Sequence, residues 1–253
     1  MPPQPYIGIT GFAHRDEVLL MVNALPNTDR LIMVGVGVRD YQYNRGPNRY
    51  PTAANLGQIF VKHPQALNLL HVHTERRAEL LEDMFLLRGL AGPHCHGFQL
   101  NMAWPDQKVL DEYRSEFPGD TIVLACDRSA FRKVLGSCKN LAQRLRDYDG
   151  LIDYVAIDKS GGTGKELDSS FLLHCFDQIA VVLPDLGLVA TGGLYSENVE
   201  SRLSPILPLH ACSSDAEGKL RTKDDLLDIA ESIRYVQAID ALFRRFEEVR
   251  VQS

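Results

Sequence analysis

Residues 154–168 read YVAIDKSGGTGKELD. An apolar run ends on Asp158 and passes into a loop that holds Gly161, Gly162 and Gly164. The stretch invites comparison with a nucleotide-binding P-loop, G-x-x-x-x-G-K followed by Ser or Thr. In that motif backbone amides cradle phosphates and the hydroxyl reaches Mg²⁺. Here the position five before Gly164 is Lys159, and Lys165 is followed by Glu166, which has no hydroxyl. The P-loop reading fails. What remains is a short buried strand whose C-terminal end presents a carboxylate beside tightly turned backbone.

The same unit recurs from end to end. YIGITGF (6–12) precedes HRDEVLLMVNAL, and RLIMVGVGV (30–38) precedes, after a long polar loop, TAANLGQIFVKH. LNLLHVH (67–73), HGFQLN (96–101) and DTIVLAC (120–126) each lead into a segment with helical spacing. LIDYVAID, GLVATGG (187–193) and LPLHACSS do the same. Short, almost continuously apolar strands are what a parallel sheet buried on both faces requires. Eight such units in 253 residues favour a closed (β/α)₈ TIM barrel of the ribulose-phosphate-binding type over an open doubly wound sheet. No linker or change of composition divides the chain, so residues 1–253 read as one barrel domain.

A net charge of −6 argues against a nucleic-acid binder, which presents a basic surface. No apolar run approaches the roughly 20 residues that span a bilayer. The start, MPPQPYIGITGF, has neither a basic stretch nor an apolar signal core, so a cytoplasmic location is expected. Five cysteines (95, 126, 138, 175, 212), odd in number and without C-x-x-C spacing, read as reduced thiols.

In such a barrel the chemistry lies at the C-terminal strand ends. Those ends carry Thr10, Arg39, His73, Asn101, Asp127, Asp158, Thr191-Gly192-Gly193 and Ser213-Ser214. The loops after strands 7 and 8 are the usual phosphate cradle, which makes Gly192, Gly193, Ser213 and Ser214 candidates, against a bland reading as ordinary turns. The loop RDYQYNRGPNRYP (39–51) holds three arginines and three tyrosines, suited to a carboxylate or phosphate and to a ring, or else simply solvated. Asp158 is a candidate acid or base, or a helix cap. His71 and His73 share one strand face, and PHCH (93–96) adds His94, Cys95 and His96. The latter fall at the start of a strand and His73 at the end of one, so no metal and no cofactor is expected.

At this point the motifs resemble those of the phosphoribosylanthranilate isomerase family over nearly the whole chain. AIDKSGGTGKELDSSFL is similar to D-x-x-x-G-G-[ST]-G-x-x-F-D-W-x-x-L, and ATGGLYSENV to A-G-G-L-x-P-E-N-V. CSSDAEGKLRTKD resembles V-S-S-G-V-E followed by K-D; PNRYPTAA resembles S-x-R-Y-[IV]-x-P; FQLN resembles V-Q-L-H. The resemblance implies an Amadori aldose–ketose rearrangement with Asp158 as general acid. It implies Arg49, Gln99 and Asn101 at the substrate, and Gly162, Gly164, Gly192, Gly193, Ser213 and Ser214 at its phosphate. The partner implied is a small phosphorylated sugar or an anthranilate-like anion.

The departures are as informative. The family's general-base cysteine falls on Thr10, its lysine on Gly8, the aspartate before the two serines on Ala211 and the following glycine on Asp215. An alcohol is a far poorer proton acceptor than a thiolate. Three readings follow: an isomerase-like enzyme in which Asp127 or His73 replaces the base, a non-catalytic barrel that binds a phospho-sugar, and a metal-dependent hydrolase built on His71 and His73. The final helix, with ALFRRFEEVR, suits either a homodimer interface or docking on its own barrel.

Overall fold

The structure is a computed structural model that describes residues 1–25, 28–39, 49–158 and 166–251. Eight strands run in parallel: β1 (Tyr6–Thr10), β2 (Leu31–Arg39), β3 (Ala66–His73), β4 (Gly97–Leu100), β5 (Thr121–Asp127), β6 (Tyr154–Asp158), β7 (Gly187–Thr191) and β8 (Cys212–Ala216). Each pairs with the next, and β8 pairs back onto β1, so the sheet closes as a barrel. Around it lie α1 (Arg15–Val22), α2 (Leu56–Ile59), α3 (Leu80–Ala91), α4 (Gln107–Glu116), α5 (Arg128–Lys133), α6 (Cys138–Leu145), α7 (Ser169–Val182), α8 (Val199–Leu203) and α9 (Ile229–Val251). None of the helices is long and apolar enough to cross a membrane, among the described residues.

Strand periodicity sorts the apolar side chains into two cores. Ile7, Ile9, Val34, Leu70, Leu124 and Val155 face the helices, while Tyr6, Met33, Leu67, Leu69, Val123, Tyr154 and Val189 fill the barrel. Each fully buried aliphatic or aromatic side chain contributes about 1.5–3 kcal/mol. Tyr6 and Tyr154 meet edge to face at 5.1 Å and plug the lower end. Above the plug the strands change character. A Cβ on Gly35 would lie 2.5 Å from Thr10 Oγ1, and one on Gly8 would lie 3.0 Å from Asp215 Oδ1. Bare backbone at these two positions leaves room for a polar layer.

Three expectations are corrected. The eighth strand lies downstream of the apolar run: residues 204–209 are turns, and the strand is the polar segment Cys212–Ala216. Ser213 and Ser214 are therefore interior strand residues and not loop residues. The helix expected over TAANLGQIFVKH shrinks to one 3₁₀ turn and α2, because Phe60 and Val61 leave it to be buried. Cys138 and Cys175 form a disulfide between α6 and α7 and are not free thiols; Cys95, Cys126 and Cys212 are free and buried.

That disulfide closes 37 residues of chain, for which loop entropy predicts about 4 kcal/mol of stabilisation. Reductant is expected to lower the melting temperature of the wild type and to leave a Cys138→Ser/Cys175→Ser double variant unmoved. Equal melting of the two proteins without reductant would contradict the bridge.

Candidate active site

The C-terminal ends of the strands enclose a cavity of about 180 Å³. Among its walls are Gln99 on β4 and Asp215 on β8, both buried. Thr10 Oγ1 donates to Asp215 Oδ1 at 3.3 Å and Gln99 Nε2 donates to Asp215 Oδ2 at 3.0 Å. His71 Nδ1 lies 3.3 Å from the same threonine oxygen. A hydroxyl has one proton, so a Thr10 that donates to Asp215 can only accept from His71. That assigns the imidazole proton to Nδ1 and leaves Nε2 as an acceptor. Gln99 Oε1 is buried without a hydrogen-bond partner among the described residues.

Burial pushes the Asp215 carboxyl up to about 7, and the nearby charges of Glu217 and Asp158 act in the same direction; the bonds from Gln99 and Thr10 oppose it. His71 is lowered from the ordinary imidazole value, mainly by burial, with His73 adding and Glu217 opposing. Near neutral pH the pair is thus a neutral imidazole and a carboxyl poised between its two states.

The rim is strongly acidic. Asp127 and Asp158 are register partners at the ends of β5 and β6, and both line the cavity with Asp215 and Glu217. Asp127 Oδ1 accepts from the Ser129 amide at 2.8 Å, the Ser129 hydroxyl at 2.6 Å and the Ala130 amide at 3.0 Å, which makes it the cap of α5. Arg49 lines the cavity, but its guanidinium is committed. It donates through Nη1 to Glu217 at 2.8 Å and through Nε to both carboxylate oxygens of Asp225. Those bonds hold the Asp225 carboxyl below the usual range.

The sequence candidates divide accordingly. Asp158, Arg49, Gln99, Asn101, Gly192 and Gly193 come together at the cavity, as do His71 and His73. Gly192 and Gly193 turn the chain there with φ of 117° and 59°. Ser213 and Ser214 are not among the residues that line it. Ser213 Oγ accepts from the Tyr6 amide at 3.0 Å inside the barrel, and Ser214 Oγ accepts from the Tyr235 hydroxyl at 3.0 Å on the helix side. Thr10 stands beside Asp215, to which its hydroxyl donates. Gly162 and Gly164 lie outside the described residues. His96 sits at the opposite end of β4, where its Nδ1 accepts from the Asn68 amide, and no three His, Cys, Asp or Glu side chains among the described residues are grouped to hold a metal.

Asp215 and Glu217 also line the cavity, and neither was singled out as a site residue from the sequence. The signal was available: Ser213, Asp215 and Glu217 alternate onto one face once the strand is placed correctly.

No protein-family model matches the chain, and no curated protein matches it by sequence. Solved structures do match it in three dimensions. A monomeric form of the dimeric phosphoribosylanthranilate isomerase of Thermotoga maritima superposes with a TM-score of 0.61 at 16% identity, covering 94% of this chain and 100% of that one. A phosphoribosylanthranilate isomerase in complex with reduced 1-(o-carboxyphenylamino)-1-deoxyribulose 5-phosphate gives 0.63 at 14% identity, with coverage of 94% and 100%. TrpF from Jonesia denitrificans gives 0.63 at 15% identity, with coverage of 94% and 98%. At such identities the likeness is one of fold: the chain has the barrel of these isomerases.

The raised Asp215 carboxyl makes a signed prediction. Its folded state disfavours ionisation, a penalty that is absent below about 3.8, grows as pH rises to about 7 and is constant above. Asp215→Asn removes it. The melting temperature of the variant minus that of the wild type is expected to rise between pH 4 and pH 7.5; a flat difference would show that Asp215 does not titrate there.

Proposed function

We propose that the protein is an acid–base isomerase of the aldose–ketose type, acting on a small phosphorylated aminosugar. The observation that carries this reading is the pair of carboxylates, Asp158 on β6 and Asp215 on β8, facing one small cavity at the catalytic end of the barrel. Asp158 protonates the ring oxygen, the C1–O bond breaks, and the nitrogen lone pair forms the C1=N bond. Asp215 then removes the C2 proton and the electrons form an enaminol. Asp215 returns a proton to C1 while the C2 hydroxyl proton is lost to the Asp158 carboxylate, which leaves a ketone at C2 and restores both acids. A carboxyl near the working pH suits both halves of that transfer.

Thr10 occupies the place of the family's cysteine but works by positioning Asp215, with His71 fixing the hydroxyl from behind. Four carboxylates on the rim cannot hold a phosphate. Its place is the turn at Gly192 and Gly193, together with Gly218, where backbone amides and the neighbouring Lys219 ammonium, 5.9 Å from the Tyr195 ring, supply donors. The acidic rim also favours the cationic Schiff base over the neutral sugar, which is the species the first step creates.

The test is rescue of a tryptophan auxotroph lacking the isomerase, paired with incorporation of solvent deuterium at C1 of the product followed by NMR. Wild type is expected to rescue. Asp158→Asn and Asp215→Asn are expected to lower turnover at least about 100-fold, and Thr10→Val by about tenfold with a shifted pH profile. Growth that survives Asp158→Asn removes that residue from the mechanism. Absence of both growth and exchange, with a phosphorylated sugar still bound, identifies a binding barrel instead.

A further inference from the structure

A second cavity, of about 490 Å³, opens between α5, β6 and α7. It falls within the roughly 300–1,000 Å³ typical of small-molecule sites, and it is far larger than the barrel-mouth cavity. Its floor is apolar: Phe131 and Leu172 are buried, and Phe131 packs on Phe171 with ring centroids 5.4 Å apart. The two cavities share Asp158, Thr191 and Gly192, so an occupant of one touches the wall of the other.

Two features of the rim point to a ligand. Leu135 is 88% exposed and held at φ 59°, in the left-handed region that a leucine avoids. It stands where α5 ends, and Gly136, with its amide bonded to the Phe131 carbonyl at 2.8 Å, completes the turn. Glycine at position 135 would make the same helix end without strain. The leucine thus opposes both solvent and backbone preference, and a strained, exposed apolar side chain at a cavity mouth is the kind of outlier that contact with a ligand explains. The second feature is charge. Three carboxylates line this cavity: Glu166 is paired with Arg202, Asp168 caps α7 through the Phe171 amide, and Asp158 stands at the wall shared with the barrel-mouth cavity. Among the described residues, the guanidinium groups of Arg128 and Arg132 are in no ion pair or side-chain hydrogen bond, and the Arg132 carbonyl accepts from the Leu135 amide at 3.3 Å.

We propose that this cavity binds an amphipathic anion: an extended apolar body lies on Phe131, Phe171 and Leu172 beneath Leu135, and its acidic group meets Arg128 and Arg132. The proposal does not depend on the isomerase reading, since the binding of a free ligand needs no turnover.

The test is fluorescence titration with 8-anilinonaphthalene-1-sulfonate and with the uncharged N-phenyl-1-naphthylamine, the folded state being checked by near-ultraviolet circular dichroism. One sulfonate per chain is expected to bind, at least about tenfold more tightly than the neutral probe. Arg128→Glu/Arg132→Glu, at exposed positions, is expected to weaken the sulfonate by at least about tenfold and to leave the neutral probe within about twofold. Leu135→Gly distinguishes ligand contact from structure: its melting temperature is expected to equal or exceed that of the wild type while sulfonate affinity falls. Asp215→Asn is expected to leave both probes unchanged. Sulfonate binding that survives the arginine reversal, or that is lost in Asp215→Asn alone, overturns the assignment.

Discussion

The barrel depends on keeping one carboxylate satisfied inside it. Asp215 points inward from β8 at a level where water is largely excluded, and an unpaired charge there would be strongly destabilising. The hydroxyl of Thr10 and the amide of Gln99, from strands on either side of the lumen, meet its two oxygens. Neither donor could arrive if the register slipped, because a one-residue shift turns every side chain to the opposite face. The bonds therefore couple the closure of the sheet to the chemistry at its mouth. Gly8 and Gly35 belong to the same solution, since a side chain at either would occupy the space the network needs.

Most of the fold was legible because parallel strands buried on both faces leave long apolar runs between polar turns. Seven strands fall where those runs lie. The eighth did not, for a reason that also hid the site. Its inward positions are Ser213 and Asp215, so the strand reads as a loop, while the turn before it buries Ile206 and Leu207 and reads as a strand. Misplacing it by a few residues put the serines at the mouth and sent Asp215 past it. Asp158 was visible because it ends a run that is apolar throughout. The link between Cys138 and Cys175 could not be seen in spacing, since only the wrapping of successive units sets α6 against α7.

The electrostatics of the mouth set it apart from the anion-binding face that the motifs suggested. Arg49, expected to meet a substrate, is held by Glu217 and Asp225. Asp127 is held by the first turn of α5. What stays available is a buried acid near its titration point, a half-buried neutral imidazole behind it, and backbone turned by two glycines. Such a set discriminates by proton position more than by charge. Thr10, where the family motif has a cysteine, instead donates its hydroxyl to Asp215 on the neighbouring strand β8, which lines the cavity.

The bridge between α6 and α7 has a topological consequence. The 37-residue span it closes contains the whole of β6, so the strand that ends in Asp158 lies within a covalent ring. A protease that cuts the backbone anywhere inside that ring opens it without dividing the molecule, and the two pieces separate only when the sulfurs are also reduced. Cleavage within the ring can thus leave a nicked protein with all eight staves in place.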